Sequence, residues 1–262
     1  MEKSRYMPQR TRFEKDRMIS EGGPVIFDPE QVESREPLPA YETRFSTTKA
    51  LERFVEFFAT IPFDEGALEE SLQEYLGKRD VDRSRSHLRS MLGELFLEKA
   101  IDTALHEIHG IQQFPGVYVA SNFEIRARDF GFNLFRYYNN EGGEQRRKNV
   151  NQFDGLIQVE TEQGRLLTVV LESKISGSNL GRTALNSAIR PSGAKEYTED
   201  MIKIFGTVGY CVAAPSDRIS DSIPLQQKFK ANGGFLLPFP FTYQQADEIA
   251  QRVAGSENRS PA

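Results

Sequence analysis

Apolar residues recur every three to four positions between residues 47 and 77: Leu51, Phe54, Val55 and Phe58, then Leu68, Leu72 and Leu76. That period predicts amphipathic helices. Ile61-Pro62-Phe63-Asp64 interrupts it, which makes two helices, and Gly77-Lys78-Arg79-Asp80 ends the second. A longer helix follows, roughly Ser84 to Ile108, with Leu88, Met91, Leu92, Leu95 and Phe96 on its inner face. Gly110 and Pro115 close it. Val117-Tyr118-Val119 and Phe123-Glu124-Ile125 have the composition of short strands, whereas 136–149 is polar and contains glycine, the pattern of a loop.

Two apolar runs then face each other across Glu162-Gln163-Gly164. They are Phe153 to Val159 and Leu166 to Lys174, and they read as a β-hairpin. Beyond them, Ser176-Gly177-Ser178-Asn179 marks a loop, and 180–192 follows neither period. Lys195–Phe205 reads as a helix and Tyr210–Ala214 as a short buried strand. Ser222–Lys230 is a further helix, Phe235–Leu237 a last strand, and Thr242–Val253 a last helix capped by Thr242. Helix, three strands, helix and strand in this order predict an α/β domain, a central mixed β-sheet flanked by helices (αβββαβ). It spans 84–254. Accessory helices occupy 46–83, a polar arm 1–45, ordered only near Pro24-Val25-Ile26-Phe27, and a disordered tail 255–262.

Composition narrows the class. The 262 residues hold a single cysteine, Cys211, so neither an internal disulfide nor a cysteine-rich metal site can form. No apolar run approaches the roughly 20 residues of a membrane span, and no apolar signal core follows Met1-Glu2-Lys3-Ser4-Arg5. A cytoplasmic location is the expectation. The formal net charge of −5 argues against a nucleic-acid partner, but binding depends on local patches rather than totals. Two such patches flank the hairpin. One is Arg146-Arg147-Lys148. The other, 173–195, holds Lys174, Arg182, Arg190 and Lys195 and no acid. Solvated loop charge is the ordinary alternative for either.

The chemistry concentrates in the hairpin. Strand side chains alternate between faces, so Glu172 and Lys174 project to one side and Ser173 to the other. An acid and an amine ending a run of Leu and Val need partners. A divalent cation shared with Asp154 would supply one, an arrangement suited to metal-assisted phosphodiester cleavage. A hairpin edge bearing protective charges is the alternative; it accounts for Lys174 but not for Asp154 within Phe-Asp-Gly-Leu-Ile. His106 and His109, three apart at a helix end, lack the spacing of a zinc protease motif.

Asp154 with Glu172-Ser173-Lys174 resembles the signature of the PD-(D/E)XK nuclease superfamily, and the element order over residues 84–214 is similar to its restriction-endonuclease-like core. The resemblance implies a Mg²⁺-dependent endodeoxyribonuclease, with Mn²⁺ as an alternative ion. Asp154, Glu172 and the Ser173 carbonyl would be ligands, and Lys174 would lie beside the attacking water. In-line attack would leave a 5′-phosphate and a 3′-hydroxyl. It also implies a further acid from the long helix, Glu94 or Glu98, with Glu98 slightly favoured by its place after Phe96. Phe153 stands where proline is common. Tyr197 appears without the preceding glutamine of RecB-like relatives, and the iron–sulfur cluster of some of those is excluded. The extra helices and the C-terminal extension favour a type II restriction endonuclease, acting as a homodimer on double-stranded DNA. Ser176–Pro191 and Arg136–Asn149 are the candidate base-reading loops, and Arg146, Arg147, Lys148, Arg182, Arg190 and Lys195 the candidate DNA contacts. A repair or junction-resolving nuclease, and a non-catalytic binding protein built on the same core, are the other readings.

Overall fold

The computed structural model describes residues 25–26, 45–79, 82–139, 144–175, 197–219 and 223–255. The helical stripes form as expected. Helices α1 (Lys49–Phe58) and α2 (Glu65–Gly77) begin at Thr48 and Asp64, whose side-chain oxygens accept from the N–H groups of Leu51 and Ala67 at 3.1 and 3.0 Å. Each satisfies an otherwise unpaired donor of the first turn. Helix α3 (Arg85–Glu107) buries Leu88, Met91, Leu92, Leu95 and Phe96. The face continues through Leu97, Ala100 and Ala104. Among the described residues no helix is long and apolar enough to cross a membrane.

The strands among the described residues are, in chain order, β1 (Val25–Ile26), β2 (Ile111–Gln113), β3 (Val117–Ala120), β4 (Phe123–Ala127), β5 (Phe132–Asn139), β6 (Gln145–Phe153), β7 (Gly155–Glu160), β8 (Leu166–Ser173), β9 (Val208–Pro215) and β10 (Phe235–Phe239). Between and after the later strands lie α4 (Tyr197–Phe205), the short α5 (Ser216–Ile219), α6 (Ile223–Ala231) and α7 (Tyr243–Gly255). The protein is α/β, with a mixed five-stranded sheet in the order β10-β9-β8-β7-β2. β8, β9 and β10 run parallel, and β7 and β2 join antiparallel. Every residue of β9 is buried, as a strand covered on both faces requires.

Alternation along β8 divides the core. Val169 and Leu171, with Cys211 and Ala213 of β9, pack against α1, α2, α3 and α7. Val170, with Tyr210 and Val212, faces the other way, toward Met201 and Ile204 of α4 and Ile125, Leu134 and Phe153. The accessory helices therefore share their core with α3. Thr242 and Gln245 form a reciprocal capping box at α7: the Gln245 N–H donates to Thr242 Oγ1 at 3.2 Å, and the Thr242 N–H to Gln245 Oε1 at 2.8 Å.

Two expectations are corrected. Residues 136–149 are not wholly loop. β5 and β6 pair antiparallel from Phe132↔Phe153 to Asn139↔Gln145 and belong to a second sheet, β1-β3-β4-β5-β6. β6 is exposed over most of its length, so ladder hydrogen bonds rather than apolar burial hold it, and no alternation marks it in the sequence. Phe153 likewise ends β6 instead of starting the hairpin strand, which begins at Gly155.

Candidate active site

Asp154 is the single residue between β6 and β7, at the point where the chain leaves one sheet for the other. Gly155 pairs with Leu171, so Asp154 comes level with Glu172 across the β7–β8 ladder. Its carboxylate is fixed from below: Oδ2 accepts the Ser173 N–H at 2.7 Å. Lys174 extends β8 by one residue, its N–H donating to the Ala213 carbonyl at 2.8 Å. Glu172 and Lys174 share a face, as period-two alternation requires.

The three side chains meet. Lys174 Nζ donates to Glu172 Oε2 at 2.7 Å and lies 3.8 Å from Asp154 Oδ2. The Glu172 side chain is 4% exposed and that of Asp154 13%. Burial alone would lower the lysine, but the charges of Glu172 and Asp154, the hydrogen bond to Glu172 and the more remote Glu94 outweigh it. The ammonium is held above the usual lysine range. It is a fixed cation near neutral pH, a donor and not a base.

Glu94 of α3 joins this cluster. Burial and the charge of Asp154 push its carboxyl up to about 7, against smaller lowering effects of Arg128, the Ser90 hydroxyl and Lys174. Ser173 explains how α3 comes so close. Its side chain points away from Lys174, and a methyl group at Gly93 would lie 2.2 Å from its Oγ. Only glycine permits this approach. The Ser173 hydroxyl is buried with no hydrogen-bond partner among the described residues. Glu98, one turn beyond Glu94, lines a cavity of about 60 Å³ together with Asp102, Phe114, Phe132 and Asp154. Both helix acids come to this region: the charges of Asp154 and Lys174 act on Glu94, and Glu98 shares the cavity lining with Asp154.

Arg128, which sequence reasoning missed, completes the cluster. Its Nη2 lies 3.6 Å from Asp154 Oδ1 and its Nη1 4.0 Å from Glu94 Oε2. The available signal was an Arg-Asp-Phe-Gly turn between two strand-like stretches. Cys211, the one thiol, is buried mid-sheet, and burial pushes its pKa up, so it is no nucleophile.

The basic residues divide. Arg146, Arg147 and Lys148 lie on the exposed part of β6. Arg147 stacks over Phe135 at 4.2 Å and lies 3.5 Å from Glu124, and Arg146 lies 3.8 Å from Glu144. At about 3.3 Å per strand residue they stand on the order of 20 Å from Asp154. Arg182, Arg190 and Lys195, and the Ser176–Pro191 stretch, lie outside the described residues.

The donors suit a hard cation. They are carboxylate oxygens without thiolate or imidazole, and two carboxylates are what Mg²⁺ commonly takes from protein. One positive centre, Lys174 Nζ, already lies within 4 Å of both Asp154 and Glu172. Among the described residues no group of three or more His, Cys, Asp or Glu is placed to hold a metal ion. Comparison with protein-family models, curated proteins and solved structures finds no match to this chain.

Proposed function

We propose that this protein is a metal-dependent endodeoxyribonuclease with a PD-(D/E)XK-type, restriction-endonuclease-like core, most like a type II restriction endonuclease. The observation that carries the reading is the contact of Lys174 Nζ with both Glu172 and Asp154. Three side chains from a hairpin strand end and a sheet crossing thus form one charged cluster at a mostly buried site. The succession of α3, the β7–β8 hairpin, α4 and β9 supports the same reading, as does the acid that α3 brings to the cluster.

Asp154 and Glu172 would hold a Mg²⁺ or Mn²⁺ ion. Such an ion supplies Lewis-acid polarisation of a phosphate and acidifies a water. Lys174, protonated throughout the neutral range, orients the attacking water and donates to the phosphate as charge builds on its oxygens. A water oxygen bonds to phosphorus while the P–O3′ bond breaks, and solvent protonates the departing oxygen. Glu94, the acid that α3 brings beside Arg128 and Asp154, takes up the proton lost by the water. Double-stranded DNA is the proposed substrate, with the exposed Arg146, Arg147 and Lys148 as outlying backbone contacts and a second copy of the chain for two-fold symmetric sites.

The test is incubation with plasmid and genomic DNA with and without Mg²⁺, with the ends mapped. Discrete metal-dependent cuts bearing 5′-phosphates support restriction. Cleavage confined to branched or damaged DNA would move the protein to repair. Salt-sensitive binding with no cleavage of any DNA would make it a non-catalytic relative.

A further inference from the structure

We infer that Arg128 is a further substrate-contacting residue of this site, binding a non-bridging oxygen of the scissile phosphate. The inference deepens the nuclease reading and rests on it.

Arg128 opens the turn 128–131 between β4 and β5, outside the hairpin that supplies the other groups. The turn is anchored at each step. The Arg128 N–H donates to the Gly131 carbonyl at 2.9 Å. Gly131 has φ +74°, and a Cβ there would lie 1.9 Å from the Phe153 carbonyl oxygen, so glycine alone lets the turn press on the backbone leading into Asp154. Asp129 pairs with Arg79 at the end of α2. Phe130 is buried against Tyr75, ring centroids 4.6 Å apart. A side chain launched from so fixed a turn has a defined place.

That place lies between two acids with full commitment to neither. The contacts to Asp154 and Glu94, at 3.6 and 4.0 Å, are ion-pair distances too long for hydrogen bonds. Nε is buried and has no hydrogen-bond partner among the described residues, while the side chain as a whole is 25% exposed. A guanidinium is a planar fork of donors whose geometry matches two oxygens of a phosphate, whereas Lys174 offers a point charge. A phosphodiester brought to Asp154 and Lys174 meets this fork beside them.

Binding of a short DNA duplex with Ca²⁺ in place of Mg²⁺, measured across a salt series, separates a phosphate contact from mere neutralisation of Glu94 and Asp154. Arg128→Met should reduce the slope of log K against log salt by about 0.9, the release of one counterion. In Mg²⁺ its kcat should fall about 10²-fold, the usual loss of one preorganised donor. Arg128→Lys keeps the charge and the slope but loses most of the kcat. It carries the test if the Met variant melts early, and a Lys variant with wild-type kcat then overturns the inference. An unchanged slope in a stable Met variant overturns it also, as does a wild-type protein that binds no duplex. If the slope falls as expected but wild type cuts nothing, the phosphate contact stands and the hydrolytic reading alone is lost.

Discussion

Glu172 and Lys174 lie two residues apart on one side of a strand end, and the Lys174 ammonium donates to Glu172 Oε2 at 2.7 Å. The glutamate is almost wholly buried, so this amine offsets the cost of keeping a carboxylate out of water. Removing one member of a buried pair commonly costs about 3–5 kcal/mol, whereas replacing both is far milder. Lys174→Met should therefore destabilise the metal-free protein by about 3 kcal/mol. The double variant Glu172→Gln/Lys174→Met should regain a large part of that. Urea unfolding in EDTA measures both, and a single variant as stable as wild type would refute the pairing.

Glu94 makes stability depend on pH. Its folded pKa of about 7 stands above its ordinary 4.5. Below 4.5 both states are protonated and the group is neutral in effect. Between 4.5 and 7 the unfolded chain releases the proton while the folded one keeps it, so stability falls as pH rises. Above 7 the loss is complete, up to about 3 kcal/mol. Glu94→Gln should leave stability unchanged at pH near 4 and raise it by about 1–3 kcal/mol at pH near 8. Equal effects at both pH values would contradict the assignment.

The parts of this picture legible in the sequence are those that bury apolar side chains. The α1–α3 stripes announce themselves by helical period, the β7–β8 hairpin by two apolar runs buried on both faces, and the alternation of Glu172, Ser173 and Lys174 survives unchanged. β6 gives no such signal because few of its side chains meet a core. Missing it hid the second sheet and made Asp154 look like a strand residue when it is the corner between two sheets. The helix acid was ambiguous for a different reason. Glu94 and Glu98 lie about one turn apart and both reach this region, Glu94 beside Arg128 and Glu98 in the cavity that Asp154 also lines, so spacing along the helix does not separate them. Arg128 depends on a turn folding back beside Asp154, a contact 26 residues away that no local pattern encodes.

The Gly93–Ser173 contact is testable through packing alone. Gly93→Ala places a methyl 2.2 Å from Ser173 Oγ and 2.9 Å from Ile175 Cδ1. Overpacking of this kind costs about 1–3 kcal/mol. Ser173→Ala removes a buried hydroxyl with no partner among the described residues and should be neutral or stabilising. The double variant should recover part of the glycine loss by thermal melting, though the Ile175 clash persists. Strictly additive effects would mean that the two residues do not touch.

The proposed chemistry requires Asp154 and Glu172 to bind one hard cation together. Crystals grown with Mn²⁺ test it through anomalous scattering. One strong peak is expected about 2.1–2.3 Å from carboxylate oxygens of both residues, with Lys174 moved off Glu172, and no peak in Asp154→Asn. A wild-type crystal at saturating Mn²⁺ with no peak between the two carboxylates, and Lys174 still bonded to Glu172, would contradict it.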